Sequence, residues 1–178
     1  MQYRSAVRQP ASSNVPIRAA TATATSAALA LDNQLCFALY SASLAMTKLY
    51  KPVLAPLGLT YPQYLTLLAL WERDGQGVSE LGEKLFLDSG TLTPLLKRME
   101  AGGWLLRRRS TDDERRVLEH HTVQGQGLRT QARTVPHALA GSTGMGFDQI
   151  GQLTQRLQRL RSQLQSAAAL FPNDPETE

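Results

Sequence analysis

A chain of 178 residues, 42% of them hydrophobic, is long enough to bury one core of ordinary domain size, and its 19 Lys and Arg against 15 Asp and Glu leave a net charge of +4. That balance favours polyanionic partners without choosing among them. No apolar run approaches the ~18 residues of a membrane-spanning helix, and the single cysteine, Cys36, excludes an intrachain disulfide and, with no His/Cys cluster beside it, a structural zinc site.

A cytoplasmic protein with no cofactor and no membrane partner is therefore expected. Residues 1–30 carry Arg4, Arg8 and Arg18 and no acid among Ala, Thr and Ser. They hold too little apolar surface to offset the entropy of ordering, and read as a disordered basic extension; an organelle transit peptide is the less favoured reading. The folded domain is expected over 31–170, with a tail at 171–178. From Leu31 the pattern is helical, with Asp32 or Asn33 as N-cap and one stripe, Leu35, Leu39, Ala42, Met46 and Leu49, expected to be buried. Pro52, Pro56 and Gly58 end that helix. Thr60 then caps a second, with Pro62 in its first turn, which runs to about Arg73. Residues 74–77 read as a turn, and Ser79 as the cap of a short helix ending near Phe86.

After Leu87-Asp88-Ser89, the segment from Gly90 to Glu100 differs in kind. Leu92, Leu95, Leu96 and Met99 fall at helical spacing and can pack inward, leaving Ser89, Thr91, Thr93, Lys97 and Arg98 toward solvent. Small hydroxylated residues followed by basic ones suit a recognition helix, whose first turns approach base edges while its cations meet phosphates. With Asp88 in the preceding turn, these are the candidate DNA contacts of this segment. Gly102 and Gly103 close the helix. Residues 104–109 then read as a strand, 110–116 as a charged turn and Val117–Leu118 as the return strand, making a hairpin wing. Arg107, Arg108, Arg109, Arg115 and Arg116 crowd it, and an Arg at such a tip can enter a narrow minor groove. Asp112, Asp113 and Glu114 would repel phosphate unless they pair with those arginines. Past Val117–Leu118 the strand should stay apolar, yet it reads Glu119-His120-His121, which puts the seating of the wing in question. A metal between the adjacent histidines is disfavoured because neighbouring strand residues face opposite ways. From Asp148 to about Ala169, Ile150, Leu153, Leu157, Leu160 and Leu164 form an a/d-type seam. A two-fold helical interface through Leu153, Leu157, Leu160 and Leu164 is expected, since two recognition helices about 34 Å apart read a palindromic operator.

The strings 31–37 (LDNQLCF), 46–52 (MTKLYKP), 59–64 (LTYPQY) and 87–96 (LDSGTLTPLL), with Asp113-Glu114-Arg115 as the wing signature Asp, any residue, Arg, resemble the MarR-type winged-helix regulators, and within them the organic-hydroperoxide-sensing, OhrR-like branch. The likeness covers roughly residues 31–164. It implies a mainly α fold with a small β-wing, a winged helix-turn-helix dimerising through its N- and C-terminal helices. It implies a repressor that leaves double-stranded DNA when its first-helix cysteine is oxidised by an organic hydroperoxide. It also implies that Tyr50 and Tyr61 match the tyrosines that hydrogen-bond the reactive cysteine across the dimer. Some members carry a second, resolving cysteine where this chain has Ala140-Gly141-Ser142; its absence implies a one-cysteine sensor.

The residues themselves are compatible with that chemistry. Cys36 lies near a helix N-terminus, whose macrodipole favours an anion, and the thiolate is the form that attacks peroxide. Leu35 and Phe37 beside it favour an organic over a small polar peroxide. The oxidised cysteine would pass to a mixed disulfide with a low-molecular-weight thiol, to a sulfenamide or to sulfinic acid. Two other readings stay open: a regulator of the same fold that answers a phenolic or drug-like ligand with Cys36 silent, and a cysteine enzyme. For the enzyme, the three His residues lie far along the chain and no motif places them.

Overall fold

The computed structural model describes residues 28–170 except 112 and 114. The expected N-terminal extension apart from residues 28–30, the tail at 171–178, and Asp112 and Glu114 lie outside the described residues. The described residues divide into two compact units, one up to Met46 and the other from Thr47. Among the described residues no single helix is long and apolar enough to cross a membrane.

In the first unit a 3-10 turn, Leu31–Asn33, leads into helix α1, Leu35–Leu54, which continues into the second unit. Asp32 and Asn33, expected as the cap of α1, lie in the 3-10 turn before it, which closes when Gln34 N–H donates to the Leu31 carbonyl at 3.0 Å. The stripe expected to be buried is largely open, with Leu35 59% and Met46 38% exposed. Amphipathic spacing here marks a face that the described residues leave open. Pro52 does not end the helix either. It sits in the last turn, where its missing N–H forfeits one backbone bond, and α1 runs on to the buried Leu54 before a second 3-10 turn, Ala55–Leu57, and Gly58 at φ 67°.

The second unit holds the closed core. Thr60 caps α2, Tyr61–Glu72, in the expected box: its N–H donates to Gln63 Oε1 at 2.8 Å. The turn at 74–77 contains a two-residue strand, β1, Gln76–Gly77, that the sequence pattern did not reveal. Helix α3, Val78–Leu85, follows, and its cap is Gly77 rather than Ser79, because Glu80 Oε2 reaches back to accept from Gly77 N–H at 3.1 Å. Helix α4, Ser89–Ala101, buries Leu92, Leu95, Leu96 and Met99 as the spacing requires. Strands β2, Leu105–Arg109, and β3, Val117–His121, form the hairpin, and β1 adds antiparallel to β3 in the order β1-β3-β2. Two helices absent from the sequence reading come next, α5 over Val123–Ala132 and α6 over Val135–Thr143. Helix α7, Phe147–Ala168, matches the expected C-terminal helix.

Gly125 explains part of α5. A Cβ at this position would lie 2.1 Å from the Trp104 carbonyl oxygen, while the Gly125 carbonyl accepts from Trp71 Nε1 at 3.1 Å. Only a glycine lets the first turn of α5 seat against the root of the wing. Leu54, Leu67, Leu70, Leu81, Leu92, Leu96, Met99 and Leu105 then close one core around α2, α3, α4 and the sheet.

Candidate nucleic-acid interface and cysteine site

Helix α4 presents two unlike faces. Its leucines and Met99 are buried, whereas Ser89, Thr91, Lys97 and Arg98 are exposed and Thr93 is half-buried. Asp88 fills a structural place among the residues expected to contact DNA. As the N-cap, its Oδ1 accepts from Thr91 N–H and its Oδ2 from Thr91 Oγ1, both at 2.8 Å. These bonds, the hydroxyl bond foremost, hold the Asp88 carboxyl below the usual range. They also turn the Thr91 hydroxyl hydrogen toward Asp88, leaving its lone pairs outward as acceptors.

The wing arginines divide in the same way. Arg108, Arg109, Arg115 and Arg116 are exposed, the Arg115 side chain 97% so. Asp113 accepts from Arg115 N–H at 3.0 Å and lies 3.8 Å from its Nε, so this acid shapes the turn beside the cation that it partly neutralises. Arg107 instead turns inward, its Nε donating to Glu119 Oε1 at 2.9 Å and lying 3.9 Å from Glu100 Oε2 on α4. Glu119 is wholly buried, and its Oε2 has no hydrogen-bond partner among the described residues. Burial pushes the Glu119 carboxyl above its usual range, against the pull of Arg107.

The polar run Glu119-His120-His121 is thus seated. Asp74, in the turn after α2, accepts from His121 N–H at 2.9 Å and lies 2.8 Å from His120 Nδ1. Burial raises the Asp74 carboxyl, but the bonds from His120 and His121 outweigh it and the net direction is down. Sequence reasoning identified the anomaly at Glu119 without its partner; the signal available was the arginine opposite it in a two-stranded ladder.

On the cysteine side, Cys36 is exposed in the first turn of α1. Tyr50 and Tyr61 come together with ring centroids 4.3 Å apart, and Tyr64 lies 6.0 Å from Tyr50. Burial, then the neighbouring phenols Tyr61 and Tyr64, push Tyr50 up to about 12, and burial raises Tyr61 and Tyr64 as well. All three phenols therefore keep their protons at neutral pH and can donate. On α7, Leu153, Leu157 and Leu164 are exposed and Leu160 is half-buried. The same helix brings the Arg161 guanidinium within 4.3 Å of the Phe86 ring, in the turn before α4.

With this geometry in view, comparison with known proteins gives a consistent answer. A family model described as transcriptional regulator SarA/Rot matches residues 48–130. The chain is 49% identical to the HTH-type transcriptional regulator TtmR of Methylorubrum extorquens, over 78% of this chain and 71% of that one. It is also 49% identical to the organic hydroperoxide resistance transcriptional regulator of Bacillus subtilis, over 73% and 88%. Reduced AbfR bound to DNA, a protein of Staphylococcus epidermidis, superposes with a TM-score of 0.66 at 34% identity, covering 78% of this chain and 94% of that one. This chain belongs to the MarR-type winged-helix transcriptional regulators, on the organic-hydroperoxide-regulator branch.

Proposed function

We propose that the protein is a homodimeric repressor that binds a palindromic operator and releases it when an organic hydroperoxide oxidises Cys36. The observation that carries the reading is the two-faced helix α4, hydroxylated then basic on its open side, followed by a hairpin on which Arg108, Arg109, Arg115 and Arg116 are exposed. Ser89, Thr91 and Thr93 approach base edges, Lys97 and Arg98 meet phosphates, and Arg108, Arg109, Arg115 and Arg116 follow the backbone or enter the minor groove. A second copy of the chain covers Leu153, Leu157, Leu160 and Leu164. The stripe on α1 is a second open apolar face, and a partner copy covers it too, so the N- and C-terminal helices both take part in the dimer.

In the sensing step the Cys36 thiolate attacks the terminal oxygen of the hydroperoxide. An S–O bond forms and the O–O bond breaks; sulfur loses two electrons to the peroxide, and the departing alkoxide takes a proton to become the alcohol. A low-molecular-weight thiol then displaces water from the sulfenic acid, leaving a mixed disulfide. Tyr50 and Tyr61, held protonated, are the donors assigned to the thiolate. The added bulk on α1 shifts the two reading heads out of register. The test is retardation of a duplex from the protein's own upstream region, with and without cumene hydroperoxide, for wild type and Cys36→Ser. Release confined to oxidised wild type supports the reading; equal release of both proteins contradicts it.

One observation favours a second reading, a ligand-responsive regulator. An open groove of about 370 Å³ is lined by Tyr64, Leu68, Trp71, Glu72, Arg129 and Arg133, an aromatic lining with two guanidinium groups and one carboxylate that suits a phenolic ligand. Release of DNA by such a compound, with no effect of peroxide, selects this reading.

A further inference from the structure

Glu119 stands where a strand facing the core calls for an apolar side chain, and its surroundings give it a role. Gln76, Glu119 and Arg107 are register partners across β1, β3 and β2, so they share one face of the sheet as a polar row. At one end of the row, Gln76 Nε2 donates to the carbonyls of Ala69 at 2.8 Å and Arg73 at 2.6 Å, fastening the sheet to the end of α2. At the other end, Arg107 donates to Glu119 and lies 3.9 Å from Glu100 on the last turn of α4. A buried ion pair of this kind adds little stability over well-packed apolar residues, because desolvation offsets its attraction. What it does supply is a direction: one guanidinium, held between a carboxylate on the wing and a carboxylate on the recognition helix, fixes how the one is set against the other.

We propose that Glu119, Arg107 and Glu100 form a strut that sets the pitch of the wing against α4, and that Arg107 and Glu119 are positioning residues for DNA binding, not DNA contacts. The inference rests on the reading of α4 and the hairpin as a DNA-binding head. It separates Arg107 from Arg108 and Arg109, its neighbours on the same strand, which are exposed.

The test measures binding of the full chain to its own upstream duplex as a function of salt, for Arg107→Met, Glu119→Leu and the double variant. The double variant replaces the pair with apolar side chains and keeps the head folded, whereas each single variant strands one charge, so its folded fraction is read by circular dichroism and its affinity corrected for it. Each single variant is expected to weaken binding about tenfold and the double variant by no more than either, since both changes remove the same strut. The slope of log affinity against log salt is expected to stay that of wild type, because no phosphate contact is lost. Glu119→Gln, which keeps an acceptor for Arg107 Nε, is expected to stay within about threefold of wild type. Losses that multiply to about a hundredfold in the double variant, a slope reduced by about one in Arg107→Met, or wild-type binding by Glu119→Leu would each overturn the strut. A wild-type chain that fails to bind the duplex at all would overturn the DNA-binding reading itself.

Discussion

Leu92, Leu95, Leu96 and Met99 on α4 are 4% exposed or less, whereas Leu153, Leu157 and Leu164 on α7, repeating at comparable helical spacing, are 43, 42 and 53% exposed. The two helices carry similar apolar periodicity and meet opposite fates. Helix α4 finds α2, α3 and the sheet within its own unit, and the core closes around it. Among the described residues the apolar seam of α7 finds nothing comparable, and the first half of α1 resembles α7 in this. Periodicity therefore says that a face is built for burial; whether the same chain buries it depends on what the connecting segments bring back.

That contrast can be broken or refined at five places. Leu96→Ala, in the closed head, is expected to cost about 3 kcal/mol, read as a lowered urea midpoint that does not depend on protein concentration. Leu157→Glu, on the open seam, is expected to leave the head folded and to weaken self-association about 30-fold, roughly 2 kcal/mol, read by sedimentation across a concentration series. Gly127→Ala is expected to stabilise by about 0.5 kcal/mol, because a Cβ there meets nothing within 4 Å and the helix loses a flexible residue. Two residues earlier, Gly125→Ala is expected to destabilise, since its Cβ would strike the Trp104 carbonyl. The smallest effect is a pH dependence. Glu119 holds its proton more tightly folded than unfolded, so its contribution is full below the unfolded value of about 4.3 and is lost as pH rises through the folded one. Glu119→Gln abolishes that loss, and the stability of the variant relative to wild type is expected to grow from acid to neutral pH in paired urea titrations.

The recognition helix and the hairpin were legible because each carries its own local chemistry: an inward leucine stripe, a hydroxylated face, two glycines before a strand, arginines about a turn. The capping box at Thr60 was legible for the same reason. Helix α5 was not, since Gly125 and Gly127 argue for a loop on propensity, and only the proximity of the Trp104 carbonyl, twenty-one residues away along the chain, accounts for the first of them. Strand β1 is too short to show a period and exists because Gln76 and Gly77 meet β3. In the site, exposed Ser89, Thr91, Lys97 and Arg98 followed from spacing alone. The inward turn of Arg107 did not, because it depends on which strand residue lies opposite. The part assigned to Cys36 comes from family likeness together with its place in the first turn of α1.

The central claim is that oxidation of this one sulfur releases DNA. Titrating cumene hydroperoxide into the protein bound to its upstream duplex, while following fluorescence anisotropy of the DNA and the intact mass of the protein in the same samples, tests it directly. The account predicts that the fraction of DNA released tracks the fraction of chains oxidised at Cys36 and that Cys36→Ser stays bound throughout. Release while Cys36 remains unmodified, or complete oxidation of Cys36 with the DNA still held, would contradict it.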